Sequence, residues 1–538
     1  MSMQESREVG GGLRLAELLG ALSLATDLAN QTPAETALKE ALLCVAFGRH
    51  LGLAEQDLSD VYYLALLYHV GCMGAAEEVG RVSAGDDGSL RRAVGEADYT
   101  DMPQILRLAV TGLANHSGPL ERAWAVVGFF RAGADLNVST HLACCEAAGS
   151  LAERMGVGSR VSRALKEVFT RWDGKVFPLG AGEAISLIAR LGHVIRVAHV
   201  HSIHRGPAAA AAVVRKRRGG ELDPTLVDAF LKVYPDLFAT IGEGSVWDQA
   251  MDAEPRPHRL VPQSHLEELT VAIADFADLK STFTLGHSRR VGDLAEAAGA
   301  CLGLDAQDRQ LVRLAGHVHD LGNVSVPQRV FTKEGRLNRP ELEAVRLHTY
   351  HTERILSAAR SLQPLGAVAG LHHERIDGSG YHRGAGASSQ SRPARVLAAA
   401  EFYQSLLEER SWRPAFPAKK AADLLSEHAT AGSLDRAAVM AVLEAAGERP
   451  GPRRVGWPAD LTDREVDVLR LLAAGRSNRA IAQALSVSEA TVHTHTVNIY
   501  AKTGLHTRAG VALFGVEHDL LPVAKINRTV EAGSASSS

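Results

Sequence analysis

The stretch His317-Val318-His319-Asp320-Leu321-Gly322-Asn323 decides the reading of this chain. It closes an apolar helical run of Leu311, Val312, Leu314, Ala315, Val318 and Leu321. A carboxylate placed there is costly unless it is paired or ligated. A divalent metal is the simplest partner, because imidazole and carboxylate are ligands of hard and borderline ions. A carboxylate also has two oxygens and bridges two ions. Further histidines stand on both sides. Gly286–Val291 reads G-H-S-R-R-V, His348–His351 reads H-T-Y-H, and His372–Tyr381 reads H-H-E-R-I-D-G-S-G-Y. His287, His319, His348, His372 and His373 are therefore candidate ligands around a bridging Asp320. Two ions about 3.5–4 Å apart would hold an activated water against a phosphorus atom.

These motifs, from about Thr282 to Leu407, resemble the HD-GYP subgroup of HD-domain metal-dependent phosphohydrolases. The matching text is H-S-R-R-V, H-D-L-G, K-E-G-R-L at Lys333–Leu337, His348 in H-T-Y-H-T-E-R-I-L, and H-H-E-R-I-D-G-S-G-Y. The resemblance implies an all-helical fold, two Fe or Mn ions and hydrolysis of cyclic di-GMP or a related phosphoester. It makes His287, His319, Asp320, His348, His372 and His373 metal ligands. Glu401, in A-A-A-E-F-Y, falls where the family carries a late Asp ligand. Asp377, Gly378, Gly380 and Tyr381 fall on its substrate loop. His351 matches no ligand, and Phe283 stands where a third-metal Glu would be needed. Asp320 and Asn323 occupy the catalytic positions, with two departures nearby. Asn323 replaces a phosphate-directed Lys and brings no charge to a phosphoryl transition state. His382 replaces the Pro of G-Y-P.

At 538 residues the chain has room for two to four domains. With a net charge of −4, nothing in the overall charge points to a nucleic-acid partner. Cys44, Cys72, Cys144, Cys145 and Cys301 are odd in number and lack metal-site spacing, as expected of reduced thiols in a cytoplasm. No apolar run approaches the ~20 residues of a membrane span, and Met1–Val9 is unlike a secretory signal.

Helical periodicity dominates, so the expected class is all-α. Proline clusters at Met251–Pro262 and Gly447–Pro458 mark boundaries. There is also an internal repeat. His50–Cys72 aligns without gaps on Cys301–Asn323, and Phe169–Gly174 aligns on His373–Gly378. The offset is 251 residues in the first match and 204 in the second, so the upstream copy carries about 47 extra residues between them. That copy lacks the chemistry. Thr36 stands for His287, Tyr68 and His69 for His319 and Asp320, Val168 and Phe169 for His372 and His373, and more loosely His199 for Glu401. It is expected to be a degenerate HD domain serving as packing partner or regulatory module. Binding of another ligand in the vacated space is an open alternative.

Leu461–Leu521 carries a second signal. Thr462 and Glu465 form a capping box, Val466, Leu469, Leu472 and Ala473 make one apolar face, and Gly475 stops the helix. S-N-R-A-I-A-Q-A-L is a short second helix, Ser486–Ser488 a tight turn, and a third helix follows with Val492 and Ile499 inward. This is a helix-turn-helix. The segment resembles the LuxR-type DNA-binding domain through L-T-D-R-E, G-R-S-N-R-A-I-A-Q-A-L, V-S-E-A-T-V-H-T-H and Arg508. The resemblance implies that Ser488 and Thr491 meet phosphates while His493, Asn498 and Lys502 face the groove of double-stranded DNA. The six Lys and Arg of Leu461–Leu521 are matched by six acids, so one copy should bind weakly and a homodimer on paired half-sites would compensate.

The expected organisation is a degenerate HD-like domain over 1–250, an HD-GYP-like metal-binding domain over 264–446, a linker over 447–460, a small four-helix helix-turn-helix domain over 461–521 and a partly disordered tail over 522–538. The expected protein is a cytoplasmic transcription regulator with a metal-dependent phosphohydrolase or sensor region. A non-catalytic ligand-sensing regulator is the alternative.

Overall fold

The computed structural model describes residues 12–521 except 84, 99, 114–117, 177–179, 448–456 and 519. Most of the 447–460 linker and the whole 522–538 tail fall outside the described residues. The structure is 71% helical, with no sheet among the described residues. Among the described residues, extended pairing is limited to isolated bridges such as Arg14 with Leu260.

The upstream part contains α1 (Leu15–Ala29), α2 (Thr36–His50), α3 (Glu55–Leu67), α4 (Ala76–Val82), α5 (Asp87–Glu96), α6 (Met102–Gly112), α7 (Pro119–Arg154), α8 (Ser159–Glu167), α9 (Leu187–Lys216), α10 (Pro224–Ala239) and α11 (Val246–Ala253). The middle part contains α12 (Leu266–Asp278), α13 (His287–Cys301), α14 (Ala306–Val318), α15 (Gln328–Phe331), α16 (Arg339–Leu356), α17 (Gln363–Ala369), α18 (Arg392–Leu406), α19 (Ala418–Thr430) and α20 (Arg436–Gly447). Then come α21 (Asp463–Ala473), α22 (Asn478–Leu485), α23 (Glu489–Thr503) and α24 (Arg508–Glu517).

The repeat is visible in three dimensions. Helices α1, α2 and α3 start at Leu15, Thr36 and Glu55, and α12, α13 and α14 start 251 residues later at Leu266, His287 and Ala306. In each copy the third helix runs into a 3-10 turn, Val70–Ala75 and Leu321–Ser325. Both turns press a glycine against a long helix. A Cβ on Gly71 would lie 1.8 Å from the Cys144 carbonyl oxygen of α7, and one on Gly322 would lie 2.0 Å from the His348 carbonyl oxygen of α16. Only glycine allows backbones to approach so closely.

The two copies share one apolar core, running from Leu15 through Phe47, Tyr62, Phe230, Phe276 and Val291 to Ala445. The proline-rich segment interrupts the helices without dividing this core. Buried ion pairs add orientation. Lys280, 2% exposed, donates to Asp87 across the halves at 2.7 Å, and Asp87 also accepts the Gln328 backbone N–H at 2.9 Å. Asp275 on α12 is clasped by Arg154 of α7 and Arg289 of α13.

The last four helices have their own core of Val466, Leu469, Leu472, Ile481, Val492, Ile499 and Val511. Helix α24 also docks on the larger body. Thr507 donates to Glu146 of α7 at 2.6 Å. Ala509 packs beside Ala75, Ala143 and Cys144, and Leu513 joins the main core.

Candidate metal centre and DNA-binding surface

Helix α13 begins at His287, after Gly286 in the left-handed region. Helix α14 ends at Val318, so His319 and Asp320 sit where it tightens into the Leu321–Ser325 turn. His348 projects from α16, and His372 and His373 follow α17. These elements bring all six side chains together.

The two oxygens of Asp320 face different imidazole pairs. Oδ2 lies 3.7 Å from His287 Nε2 and 3.5 Å from His319 Nε2. Oδ1 lies 3.2 Å from His348 Nε2 and 3.6 Å from His372 Nε2. Two sets of converging ligand atoms result, His287 with His319 and Asp320, and His348 with His372 and His373. Glu401 reaches His373 at 3.6 Å.

In four of the five imidazoles the inward nitrogen is fixed by a bond at the far side of the ring. His319 Nδ1 donates to the Gly316 carbonyl at 2.7 Å, His372 Nδ1 to the Ala369 carbonyl at 2.6 Å, and His348 Nδ1 to the Val345 carbonyl. His287 Nδ1 donates to Glu408 at 2.7 Å. The Nε2 lone pairs are thereby turned to the centre, the arrangement that orients metal-bound histidine. Burial depresses the His319 imidazole to about 3, which keeps it neutral and available as a ligand. Burial opposes ionisation of Asp320, yet the surrounding His319, His348 and His372 hold its carboxyl well below the usual range.

The donor set fits a metal. His319 Nε2 is fully buried and has no hydrogen-bond partner, a costly condition unless a cation takes the lone pair. His348 Nε2 and His372 Nε2 stand 2.9 Å apart, a distance at which two lone pairs repel unless a positive centre lies between or beside them.

The loop after His373 is organised by a residue that the motif reading passed over. Glu374 is buried and accepts the Arg383 and Ala385 backbone N–H groups at 3.0 and 2.9 Å. A Cβ on Gly380 would lie 2.5 Å from Glu374 Cα, so the loop closes tightly there. Tyr381 is held over His373, ring centroids 4.4 Å apart. Asp377 is exposed and accepts Ser379 N–H and O–H, shaping a turn with Gly378 at φ 79 rather than reaching the centre. His382 Nδ1 hydrogen-bonds the Thr349 hydroxyl at 2.9 Å. Asn323 lies half-buried in the turn after Asp320. Sequence reading also missed Glu408. It is buried between His287, Arg290 and Arg410, in an L-L-E-E-R stretch whose spacing gives no signal. His317 is structural, bonding Thr270 at 3.0 Å.

In the C-terminal module, Thr462 and Glu465 form the capping box. Ser477 caps α22, Ser486 turns the chain at φ 53, and Ser488 caps α23 by accepting Thr491 N–H at 3.1 Å. Val492 and Ile499 are buried, while Ser488, His493 and Asn498 are exposed along α23. Lys502 is exposed too, but its ammonium is engaged, donating to Glu465 at 2.7 Å and to the Asp460 carbonyl at 3.0 Å.

Residues 272–438 match the family model described as HD domain, and residues 459–514 match that of bacterial regulatory proteins of the luxR family. The chain joins an HD domain to a LuxR-type helix-turn-helix domain. The HD domain is HD-GYP phosphodiesterase-like. Over 418 residues the chain is 26% identical to 3'3'-cGAMP-specific phosphodiesterase 3 of Vibrio cholerae, covering 77% of this chain and 91% of that protein. The LuxR-type domain is 43% identical over 61 residues to the transcriptional regulatory protein MctR of Rhizobium johnstonii, 11% of this chain and 28% of that one. A crystal structure of cyclic GMP-AMP specific phosphodiesterases of V. cholerae superposes with a TM-score of 0.56 at 22% identity, covering 82% of this chain and 99% of that one, a likeness of fold. Among the described residues no helix is long and apolar enough to cross a membrane.

Proposed function

We propose that the HD domain is a two-metal phosphodiesterase acting on a cyclic dinucleotide, and that the LuxR-type domain couples it to transcription. The observation that carries this reading is the division of Asp320 between two imidazole pairs, 3.2 to 3.7 Å away. His287, His319, Asp320, His348, His372, His373 and Glu401 would hold the ions. Fe or Mn suits this mixture of imidazole and carboxylate. Such ions supply Lewis acidity to a phosphoester. The chain's own residues do the rest. The carbonyls of Gly316, Val345 and Ala369 and the Glu408 carboxylate fix the tautomers of four imidazoles. Glu374 holds the 374–385 loop so that Tyr381 covers His373, and Asn323 offers a neutral amide to the substrate. Names of similar proteins support a cyclic dinucleotide as substrate, since a V. cholerae relative is a 3'3'-cGAMP-specific phosphodiesterase. The exposed face of α23, with His493 and Asn498, reads double-stranded DNA, and a homodimer supplies two such helices.

The test uses the full chain loaded with Mn or Fe. Turnover of bis-p-nitrophenyl phosphate and of cyclic dinucleotides is measured beside metal content. Asp320→Ala should lose both metal and turnover. A wild-type protein that binds two equivalents of metal yet turns over no phosphoester would overturn the enzyme reading. Asn323 favours a second reading, a sensor that binds without hydrolysing, because no cation ends the H-D-L-G-N motif.

A further inference from the structure

The upstream copy has lost the metal-site residues and encloses a cavity of about 570 Å³ in their place. Thr36, His69 and Phe169, the counterparts of His287, Asp320 and His373, all line it. Tyr68, the counterpart of His319, is buried and donates its hydroxyl to the Val168 carbonyl at 2.6 Å, so no ligand atom remains there. Other walls come from the segment between Cys72 and Phe169, where this copy is longer, from Asn30, Thr32 and Pro33, and from α9. Val79, Val82, Leu90, Val94 and Phe129 supply an apolar surface. The size is within the range of small-molecule sites, roughly 300–1,000 Å³, which pair apolar walls with few polar anchors.

One such anchor stands out. Arg91 lines the cavity with its side chain 8% exposed. Its Nη1 sits 3.1 Å from Asp87 Oδ2, but neither terminal nitrogen makes a hydrogen bond. Asp87 is already satisfied by Lys280 and the Gln328 N–H. A buried guanidinium with unused donors is costly, and a carboxylate or sulfonate matches its fork. Of the acids on the lining, Glu78 is drawn towards Arg81, 3.7 Å away and outside the cavity.

We propose that this cavity is a binding site for an organic monoanion with an apolar body, a molecule of the carboxylate class, held by Arg91. A cyclic dinucleotide suits it poorly. Two phosphates would need two sets of buried donors, but Arg92 on the lining is exposed, Arg196 donates to the Gly95 carbonyl and lies over Tyr68, and the walls are chiefly aliphatic and aromatic.

The probes are 1-anilinonaphthalene-8-sulfonate, decanoate and 1-decanol, titrated into the full-length protein. The sulfonate should bind saturably at one site per chain and be displaced by decanoate at least tenfold better than by 1-decanol. Arg91→Met should abolish that preference, and Val94→Trp should abolish displaceable binding. A second measurement needs no variant. Cys72 lines the cavity and is partly accessible, whereas Cys301 is exposed elsewhere. Decanoate should slow N-ethylmaleimide labelling of Cys72 and leave Cys301 unchanged. Equal displacement by decanoate and decanol, displacement by cyclic di-GMP instead, or unprotected Cys72 at saturating decanoate would each overturn the proposal.

Discussion

Asp320 depends on residues that never touch the centre. Glu408 is the clearest. Its carboxylate takes the Nδ1–H of His287 at 2.7 Å while Arg290 and Arg410 neutralise it. Burial works against the Glu408 charge, but His287 and Arg290 hold its carboxyl well below the usual range. Glu408→Gln keeps the shape and removes the charge, and should weaken metal affinity by about 10–100-fold. Competition with a chelating dye would show this, and an unchanged affinity would remove Glu408 from the site. Gly322 is a steric case. Its Cβ position lies 2.0 Å from a backbone oxygen of α16, so Gly322→Ala should destabilise by about 3 kcal/mol and displace His348. Chemical unfolding of the metal-loaded protein measures the first effect, and metal content the second.

Helix α23 presents two different edges. His493 and Asn498 are exposed, whereas the Lys502 ammonium is occupied by Glu465 and the Asp460 carbonyl. On an operator selected from a random-sequence pool, His493→Ala and Asn498→Ala should each cost about 1–3 kcal/mol and relax base preference. Lys502→Ala should act first through the capping box of α21, lowering the melting temperature. If it instead weakened binding evenly across sequences at unchanged stability, Lys502 would be a phosphate contact. The difference between these residues shows what the linear pattern conveys. Capping, apolar spacing and turn residues foretell α21 to α23 closely, because they are local. The H-D pair and its flanking histidines likewise foretell which side chains converge. Glu408, Glu374 and the docking of α24 were not foretold. Glu408 and the docking of α24 depend on contacts between residues far apart in sequence, Glu374 on the closing of its own loop, and Glu408 differs from its neighbour Glu409 only in which way it faces.

Across the whole molecule, the two copies of the repeat share one apolar core with buried charges at the seam. Lys280→Met would leave Asp87 with Arg91 and a backbone N–H, and should cost about 3 kcal/mol or more. The double variant with Asp87→Asn should recover much of that loss in urea unfolding. Full additivity of the two would mean that the pair contributes nothing as a pair. Helix α7 joins the remaining parts. Over 36 residues it lines the upstream cavity with Phe129, His141 and Cys144 and then offers Glu146 to Thr507 of the DNA-binding module. Coupling through such a shared element is reciprocal by thermodynamic necessity. Whatever factor an occupant of the cavity applies to operator affinity, the operator applies to the occupant. Where that factor differs from one, a promoter carrying this protein would hold the occupant with an affinity different from that of the free pool, and DNA would act as an effector of the upstream domain.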